Sequence, residues 1–395
     1  QIAMIPLGGY VKMLDERESP VPEAEAHEAF NRASVWKRIA IVAAGPIANL
    51  ILCVVLLWAM FVIGRPDYAP VVGQASGIAE TSGLRAGDHI DAVGDRETPT
   101  WMEVQLALLP AALDRRDIAL HVTDERDRDV VRELRLSQLP EDFDQRRIAS
   151  AIGLWPRHLL LPAVVGRVEP GSAAWGVLAE GDRLTAIDGS PVRVFEDIGP
   201  LVQTLGDRGG QAMVEVERDG ERLALEMTPK RMELPDGRGE YWAFGIAPPR
   251  DLPMPEKDAI QQYGVLASVP AAFHEVGHLT GQLVGMIGRA FSGRVAIENT
   301  VAGPITIARA ANTYAGQGPA WYLTILALLS LSLAILNLLP IPLLDGGHLL
   351  YYLIELVKGS PVSERAMVAG QYVGLVLLAS LMGLAFYNDI LQLVR

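Results

Sequence analysis

The stretch NLLPIPLLDGGHLL, Asn337 to Leu350, decides how the rest of the chain is read. It closes a long uncharged run and sets one acid, Asp345, directly behind an apolar wall. A carboxylate near membrane depth is costly and needs a metal, a cation or a proton as partner. Pro340 and Pro342 break the helix leading in and free backbone groups, which membrane proteins tolerate where a cavity is lined. Gly346 and Gly347 permit a turn or a close approach. A second reading stands beside the first: a loop just outside the bilayer, with Asp345 capping a helix.

The surroundings of this stretch are membrane-like. Three runs are long and uncharged enough to cross a bilayer: Ile39 to Gly64, a segment within Ala310 to Leu344 that is most apolar from Trp321 onward, and Ala366 to Asn388. Buried helices of soluble proteins rarely stay charge-free for so long. Half of the 395 residues are hydrophobic, and the net charge of −13 argues against nucleic acid as a partner. The single cysteine, Cys53, lies in an apolar run, so neither a disulfide framework nor a cysteine metal site is expected. Lys37 and Arg38 precede the first run, and Lys358 and Arg365 lie between the second and third. The positive-inside rule places both segments in the cytoplasm, with residues 65 to about 320 and the C-terminus outside.

The outer block is rich in Asp, Glu and Arg, and it repeats itself. SGLRAGDHIDAVGDRETPTWMEV (Ser82 to Val104) parallels WGVLAEGDRLTAIDGSPVRVFED (Trp175 to Asp197). Each copy sets a Gly-Asp before an apolar strand, then a tight turn at Gly94-Asp95 or Asp188-Gly189, then more strand. PVVGQ (Pro70 to Gln74) and AVVGRV (Ala163 to Val168) open the copies. The pattern resembles a pair of PDZ domains, which bind extended peptides by adding a strand to a sheet edge. The plain alternative is a generic small β-domain.

HEVGH, His274 to His278, matches the HExxH pattern of zinc peptidases, in which two imidazoles share a helix face and the Glu serves as base. A chance match in this composition is on the order of one in a hundred. Its context reads as an amphipathic helix: Phe273, Val276, Leu283 and Ile287 form an apolar face, with His274, Gly277, His278, Gly281 and Gly285 largely opposite. Such a helix can lie on a membrane surface. The expected topology puts HEVGH on the outer side and Asp345 toward the cytoplasm, separated by much of the ~30 Å hydrocarbon core. Glu298, an alternative third ligand, sits in no recognisable motif. The match is read as coincidental. His348, one turn after Asp345, is read as a bland cytoplasmic residue, and His27, His89, His121 and His158 as surface residues.

Asn337 to His348, as NxxPxPxLDGGH, resembles the signature of the site-2 protease family of intramembrane zinc metalloproteases. Two other segments agree. IPLGGYVKMLDE (Ile5 to Glu16) resembles the family's membrane-entering β-hairpin loop. AAGPIANLIL (Ala43 to Leu52) resembles its second transmembrane helix, with the GPxxN element at Gly45, Pro46 and Asn49. Tandem PDZ domains between the second and third transmembrane helices point to the regulator-of-sigma-E protease branch. The resemblance runs in order over essentially the whole chain.

It implies that Asp345 is the third ligand of a catalytic Zn2+. The family's HExxH lies in a first transmembrane helix just upstream of the IPLGGYVKM element. Two zinc-binding His and a general-base Glu are therefore expected before Gln1, and this chain alone is expected to be inactive. Asn337 would contact the substrate backbone or the developing oxyanion; helix packing is its other reading. The hairpin at Gly8, Gly9 and Tyr10 would bind substrate as a paired strand. The PDZ domains would screen substrates by bulk or read exposed peptide C-termini. Implied partners are the lipid bilayer and single-pass membrane proteins already trimmed by another protease, such as anti-sigma factors. The implied location is a bacterial inner membrane, with the PDZ domains in the periplasm.

The fold class expected is a polytopic α-helical membrane protein with an inserted pair of mixed β/α domains. The expected divisions are a hairpin loop and cytoplasmic segment (1–38), a transmembrane helix (39–64), PDZ-like domains (65–158 and 159–250), and a linker with a juxtamembrane helix (251–310). A transmembrane helix with the LDG motif (321–344), a cytoplasmic loop (345–365) and a last transmembrane helix (366–388) follow. Two rival functions remain on sequence alone: a non-catalytic PDZ scaffold, and an outer-facing zinc peptidase using HEVGH.

Overall fold

The computed structural model describes residues 22, 29–140, 143, 148–233, 239–253, 255–292 and 302–394. The expected hairpin with Gly8, Gly9 and Tyr10 lies outside the described residues, as do His27 and Glu298. The chain forms two compact units, one from residues up to Arg65 together with Gln261 onward, the other from Pro66 to Ile260. The first unit opens with helix α1, Val35–Ile63, which carries no charge after Arg38. Its apolar residues run all around the axis, as lipid on one side and protein on the other require. Ile41, Ile47, Ile51 and Val55 are exposed, while Cys53, Leu57, Met60 and Phe61 are buried. Pro46 sits inside the helix.

The second unit contains two small β-domains of the same topology. In the first, a four-stranded sheet runs in the order 96–97, 89–93, 118–123, 129–134, and helix α2 (Trp101–Leu113) covers it. In the second, the order is 190–191, 183–187, 212–218, 221–227, with helix α3 (Ile198–Arg208) in the corresponding place. A short opening strand in each pairs with a closing one: Val72–Ala75 with Leu154–Pro156, and Arg167–Val168 with Ile246–Ala247. The repeat is built by turn chemistry. Gly87 and Gly181 both take positive φ (91° and 94°), a region closed to most side chains. The following Asp88 and Asp182 are buried and accept the backbone N–H three residues back, from Arg85 at 2.9 Å and Ala179 at 2.8 Å. Asp188 and Gly189 both have positive φ, which is the two-residue hairpin that an Asp-Gly pair favours. Each domain has its own apolar core.

Five helices complete the first unit: α4 (Ser268–Phe291), α5 (Pro304–Gly316), α6 (Pro319–Leu338), α7 (Asp345–Lys358) and α8 (Glu364–Val394). Among the described residues α1, α6 and α8 are long and apolar enough to cross a membrane. Helix α6 packs along α1, with Ala327, Leu331 and Ala334 fully buried and the Ser330 hydroxyl donating to the Asn49 carbonyl at 2.8 Å. The sequence leads one to expect a helix up to 344 and then a loop. Instead α6 stops at Leu338, and Asp345 to Lys358 is helical. Pro340 and Pro342 explain the first difference. Neither has an N–H to donate, and Leu339, preceding a proline, is already extended at φ −62° and ψ 142°. The acid at the first position of α7 suits the positive end of the helix dipole. Gly359, in the left-handed region at φ 76°, ends α7.

Candidate active site

Residues Leu339 to Leu344 form a non-helical link between α6 and α7, and Leu343 within it has φ 94°. Glycines let the surrounding helices close upon this link. A Cβ on Gly346 would collide with the backbone of Leu338 and Leu339, and one on Gly347 with the Ile341 carbonyl. From the far side, Gly374 of α8 abuts the Pro342 carbonyl, and Gly370 meets the Pro342 ring and the Tyr351 hydroxyl. Sequence reading for acids and histidines missed this Gly370–Gly374 face. Its signal was the GxxxG spacing that lets membrane helices approach closely.

Asp345 stands at the first position of α7, half-buried. The N-cap position of α7 belongs to Leu344, so Asp345 lies one residue inside the helix. Among the described residues it has no hydrogen-bond or ion-pair partner. Across the helix interface it approaches Gly45 of α1: a Cβ there would lie 3.1 Å from Oδ2. The LDG aspartate thus meets the GPxxN segment of α1. Asn337 lies in the last turn of α6, half-buried, and its amide also has no partner among the described residues. His348 is half-buried, its ring set edge-on to Tyr351 at 6.3 Å.

A second feature that sequence reading passed over joins the same helices. Arg38 donates through both terminal nitrogens to Glu355, at 2.7 and 3.2 Å, and through Nε to the Ala33 carbonyl at 3.1 Å. Its guanidinium lies 4.9 Å from the centre of the Tyr352 ring.

HEVGH is helical, and the His274 and His278 rings meet edge-to-face at 4.3 Å. Helix α4 rests on α1 and α6 through Ala272, Val276, Leu279, Leu283 and Ile287, against Cys53, Leu57, Met60 and Phe61. Phe273, expected on that face, is 62% exposed. Alanines 271 and 272 make the contact instead, because their small side chains let the helices approach. Glu275 is close enough to the Cys53 thiol to act on it electrostatically. Cys53 lies eight residues along α1 from Gly45, or about 12 Å at 1.5 Å per residue.

Zinc chemistry asks for three protein ligands and an open position. Asp345 offers a carboxylate with no competing partner among the described residues. No group of three His, Cys, Asp or Glu able to hold a metal stands together among the described residues, so these residues do not complete a zinc site.

Two titrating groups in the β-domains are also placed. Burial acts to raise the Asp182 pKa, but hydrogen bonds from Arg218 and from the Ala179 N–H outweigh it and hold the carboxyl below its usual range. His158, expected at the surface, is half-buried and stacked on Tyr68 at 3.9 Å and 8°. Burial pushes its pKa down, with Asp67 and Asp258 acting upward and Arg157 downward.

The family model "Peptidase family M50" matches residues 1–381. A protein of Xylella fastidiosa (strain 9a5c) bearing a zinc-metalloprotease name is 49% identical over 390 residues, 99% of this chain and 86% of its own. The regulator of sigma-E protease RseP of Escherichia coli K12 is 40% identical over 99% of this chain and 87% of its own. Protease RseP of Yersinia pestis is 38% identical over the same shares.

Proposed function

The chain belongs to peptidase family M50 and is a membrane-embedded zinc metallopeptidase, and from that premise we propose that it cuts single-pass membrane proteins within the bilayer after another protease has trimmed them. The observation that carries the site is the Asp345 carboxylate. It is half-buried, bonded to nothing among the described residues, and set against Gly45. An unpaired acid at membrane depth is expensive, and a metal is the partner that this family supplies. The capping reading loses support, because the cap position of α7 is held by Leu344 and Asp345 is already the first helical residue.

When bound, zinc supplies an activated water and polarises the scissile carbonyl. We propose that its two imidazoles and the general-base Glu come from an HExxH helix other than α4, since no such ligand group stands together among the described residues. This chain's own part is to present and to position. Asp345 offers its carboxylate from the start of α7. Asn337, at the end of α6 with an amide that has no partner among the described residues, donates to the substrate carbonyl or the developing oxyanion. The segment with Gly8, Gly9 and Tyr10 holds the substrate extended as an added strand. Helix α8, drawn tight on Pro342 by Gly370 and Gly374, limits water on that side.

The two β-domains serve as PDZ domains on the periplasmic side of a bacterial inner membrane, and the segment with Lys37 and Arg38 and the stretch from Gly347 to Arg365 face the cytoplasm. Their shared strand order and buried Gly-Asp turns support the first part. A cavity of about 300 Å3 in the second domain, lined by Ile198, Val202, Trp242, Phe244 and Ile246, fits the apolar end of an extended peptide. The Arg38–Glu355 pair supports the second part, since it brings the two Lys/Arg-bearing segments to one end of the helices. The substrate class is single-span proteins of the anti-sigma-factor type. Asp345→Ala in the full-length protein should abolish cleavage of a single-span reporter while leaving membrane insertion intact; near-normal cleavage would remove Asp345 from the site. Reporter fusions after Gly210 and after Gly359 should give opposite sidedness, and equal signals would overturn the topology.

A further inference from the structure

Helices α1 and α7 touch at two places, and only one of them is at Asp345. Along α7, Asp345, Tyr352 and Glu355 recur at spacings of seven and three, which keeps them on one face. Along α1, Arg38 and Gly45 are two turns apart and so also share a face. The pairs run in opposite senses: Arg38 meets Glu355, and Gly45 meets Asp345. At the Gly45 end nothing directional holds the helices in register, because glycine offers no side chain and the carboxylate bonds to nothing among the described residues. At the other end the contact is a two-pronged guanidinium–carboxylate bond, with side-chain exposures of 10% for Arg38 and 14% for Glu355. Tyr352 stacks beneath the guanidinium and is itself edge-packed by Phe30 at 6.4 Å. A planar fork held on three sides fixes direction as well as distance, which an apolar contact does not.

We propose that the Arg38–Glu355 pair is a positioning clamp: it sets the rotation of α7 about its axis and thereby holds the Asp345 carboxylate at its place beside Gly45. The proposal rests on the reading of Asp345 as the site's carboxylate. Its leverage follows from helix geometry. Side-chain ends lie about 5–6 Å from a helix axis, so a 20° rotation of α7 would move the carboxylate by about 2 Å. Misplacement of a reacting group by about 1 Å can cost on the order of 100-fold in rate. The clamp lies ten residues from Asp345, about 15 Å along α7, so neither Arg38 nor Glu355 touches the reacting atoms.

The test uses the full-length protein in detergent, a single-span model peptide as substrate, and three readouts: kcat, thermal midpoint, and zinc retained per polypeptide after dialysis against a chelator. Arg38→Ala and Glu355→Ala each leave one buried charge unpaired and are expected to lower both midpoint and rate. The decisive variant is Arg38→Met with Glu355→Leu, which restores packing without direction. Its midpoint should return to the wild-type range, while kcat stays about 100-fold down and zinc is lost faster than from the wild type. Arg38→Lys, which keeps the charge and loses the fork, should fall between. Recovery of both rate and zinc retention in the Met/Leu variant would reduce the pair to a structural contact and overturn the proposal. So would wild-type kcat in the folded fraction of Arg38→Ala. Asp345→Ala, measured in parallel, separates the two ideas. If it cleaves normally, the reading of Asp345 fails and takes the clamp with it. If it is inactive while the clamp variants keep wild-type kcat, the clamp alone fails.

Discussion

Gly45→Ala is the smallest change that probes the contact between α1 and the LDG aspartate, and its effects on stability and on rate should have opposite signs. The added Cβ would stand 3.1 Å from Asp345 Oδ2. Ordinary contact begins at about 3.5 Å, so the carboxylate or the helix must yield by about 0.3–0.4 Å. If 1 Å of misplacement is worth about 100-fold, or about 2.7 kcal/mol, a proportionate shift removes about 1 kcal/mol of transition-state stabilisation. The expected result is a kcat about 4–5-fold below wild type. Stability moves the other way, because replacing a helix-interior glycine by alanine favours the helix by about 0.5–1 kcal/mol. Gly45 is exposed, so the methyl meets little else. Gly45→Val brings further carbon toward the carboxylate and should cost more rate. Cleavage of a single-span peptide by purified full-length protein gives kcat, and a melting curve on the same sample gives the midpoint. Wild-type kcat in both variants would refute the reasoning, since the site would then ignore a wedge placed beside its proposed ligand. A rate loss that merely tracked a fall in the midpoint would refute it too.

Two further predictions address residues away from that contact. His274→Ala and Glu275→Gln should leave cleavage within a few-fold of wild type, because the proposed site at Asp345 uses neither residue; a hundredfold loss from Glu275→Gln in well-folded protein would reinstate HEVGH as catalytic. His158, whose pKa burial holds below that of a free imidazole, binds its proton less well folded than unfolded. The stability it contributes is therefore present above the unfolded value of about 6.5 and is lost as pH falls below it. The melting midpoint should drop between pH 7.5 and 5.5, and His158→Phe, which keeps a ring against Tyr68, should drop less; equal drops in the two proteins would remove His158 from the account.

What could be read from the sequence was what local chemistry dictates. Lipid permits long uncharged helices, so the runs around Cys53, Leu331 and Val376 stand out in composition alone. The β-repeat is legible because its turns need particular residues: Gly87 and Gly181 at positive φ, and buried Asp88 and Asp182 closing the backbone behind them. Asp345 stands out because an acid behind an apolar wall demands a reason. Contacts between distant positions were not legible. Arg38 and Glu355 are 317 residues apart and each, alone, looks like a charge at a membrane edge. The positive-inside rule used Arg38 for orientation and so hid its pairing. Helix α7 reads as loop in sequence because a segment that follows two prolines and opens with Gly346 and Gly347 carries turn signals, and these mask the contact it makes with α1 through Tyr352 and Glu355. Hydrophobicity alone places Phe273 on the contact face, whereas close approach to α1 favours Ala271 and Ala272.

The same distinction governs the two zinc-like features. HExxH is a statement about one turn of helix, and α4 satisfies it: the two imidazoles do meet. A metal site is a statement about space. Ligands bonded at about 2.0–2.2 Å to one ion lie within about 4 Å of each other, so a third donor must come to the pair from elsewhere in the fold. Helix α1 serves as the ruler for whether Asp345 can be that donor. Asp345 meets α1 at Gly45, whereas the residues around HEVGH meet it from Cys53 to Phe61. Even the nearer of those levels is about 12 Å away, several times the span that one ion bridges. A shared site would require α4 to slide along α1 by more than two turns, stripping Ala272, Leu279 and their partners from a closed apolar contact. Burial of that contact favours the arrangement seen by several kcal/mol. The two features are therefore alternatives rather than halves of one site, and the Asp345 carboxylate, which bonds to nothing among the described residues and stands beside Gly45, is the one we propose.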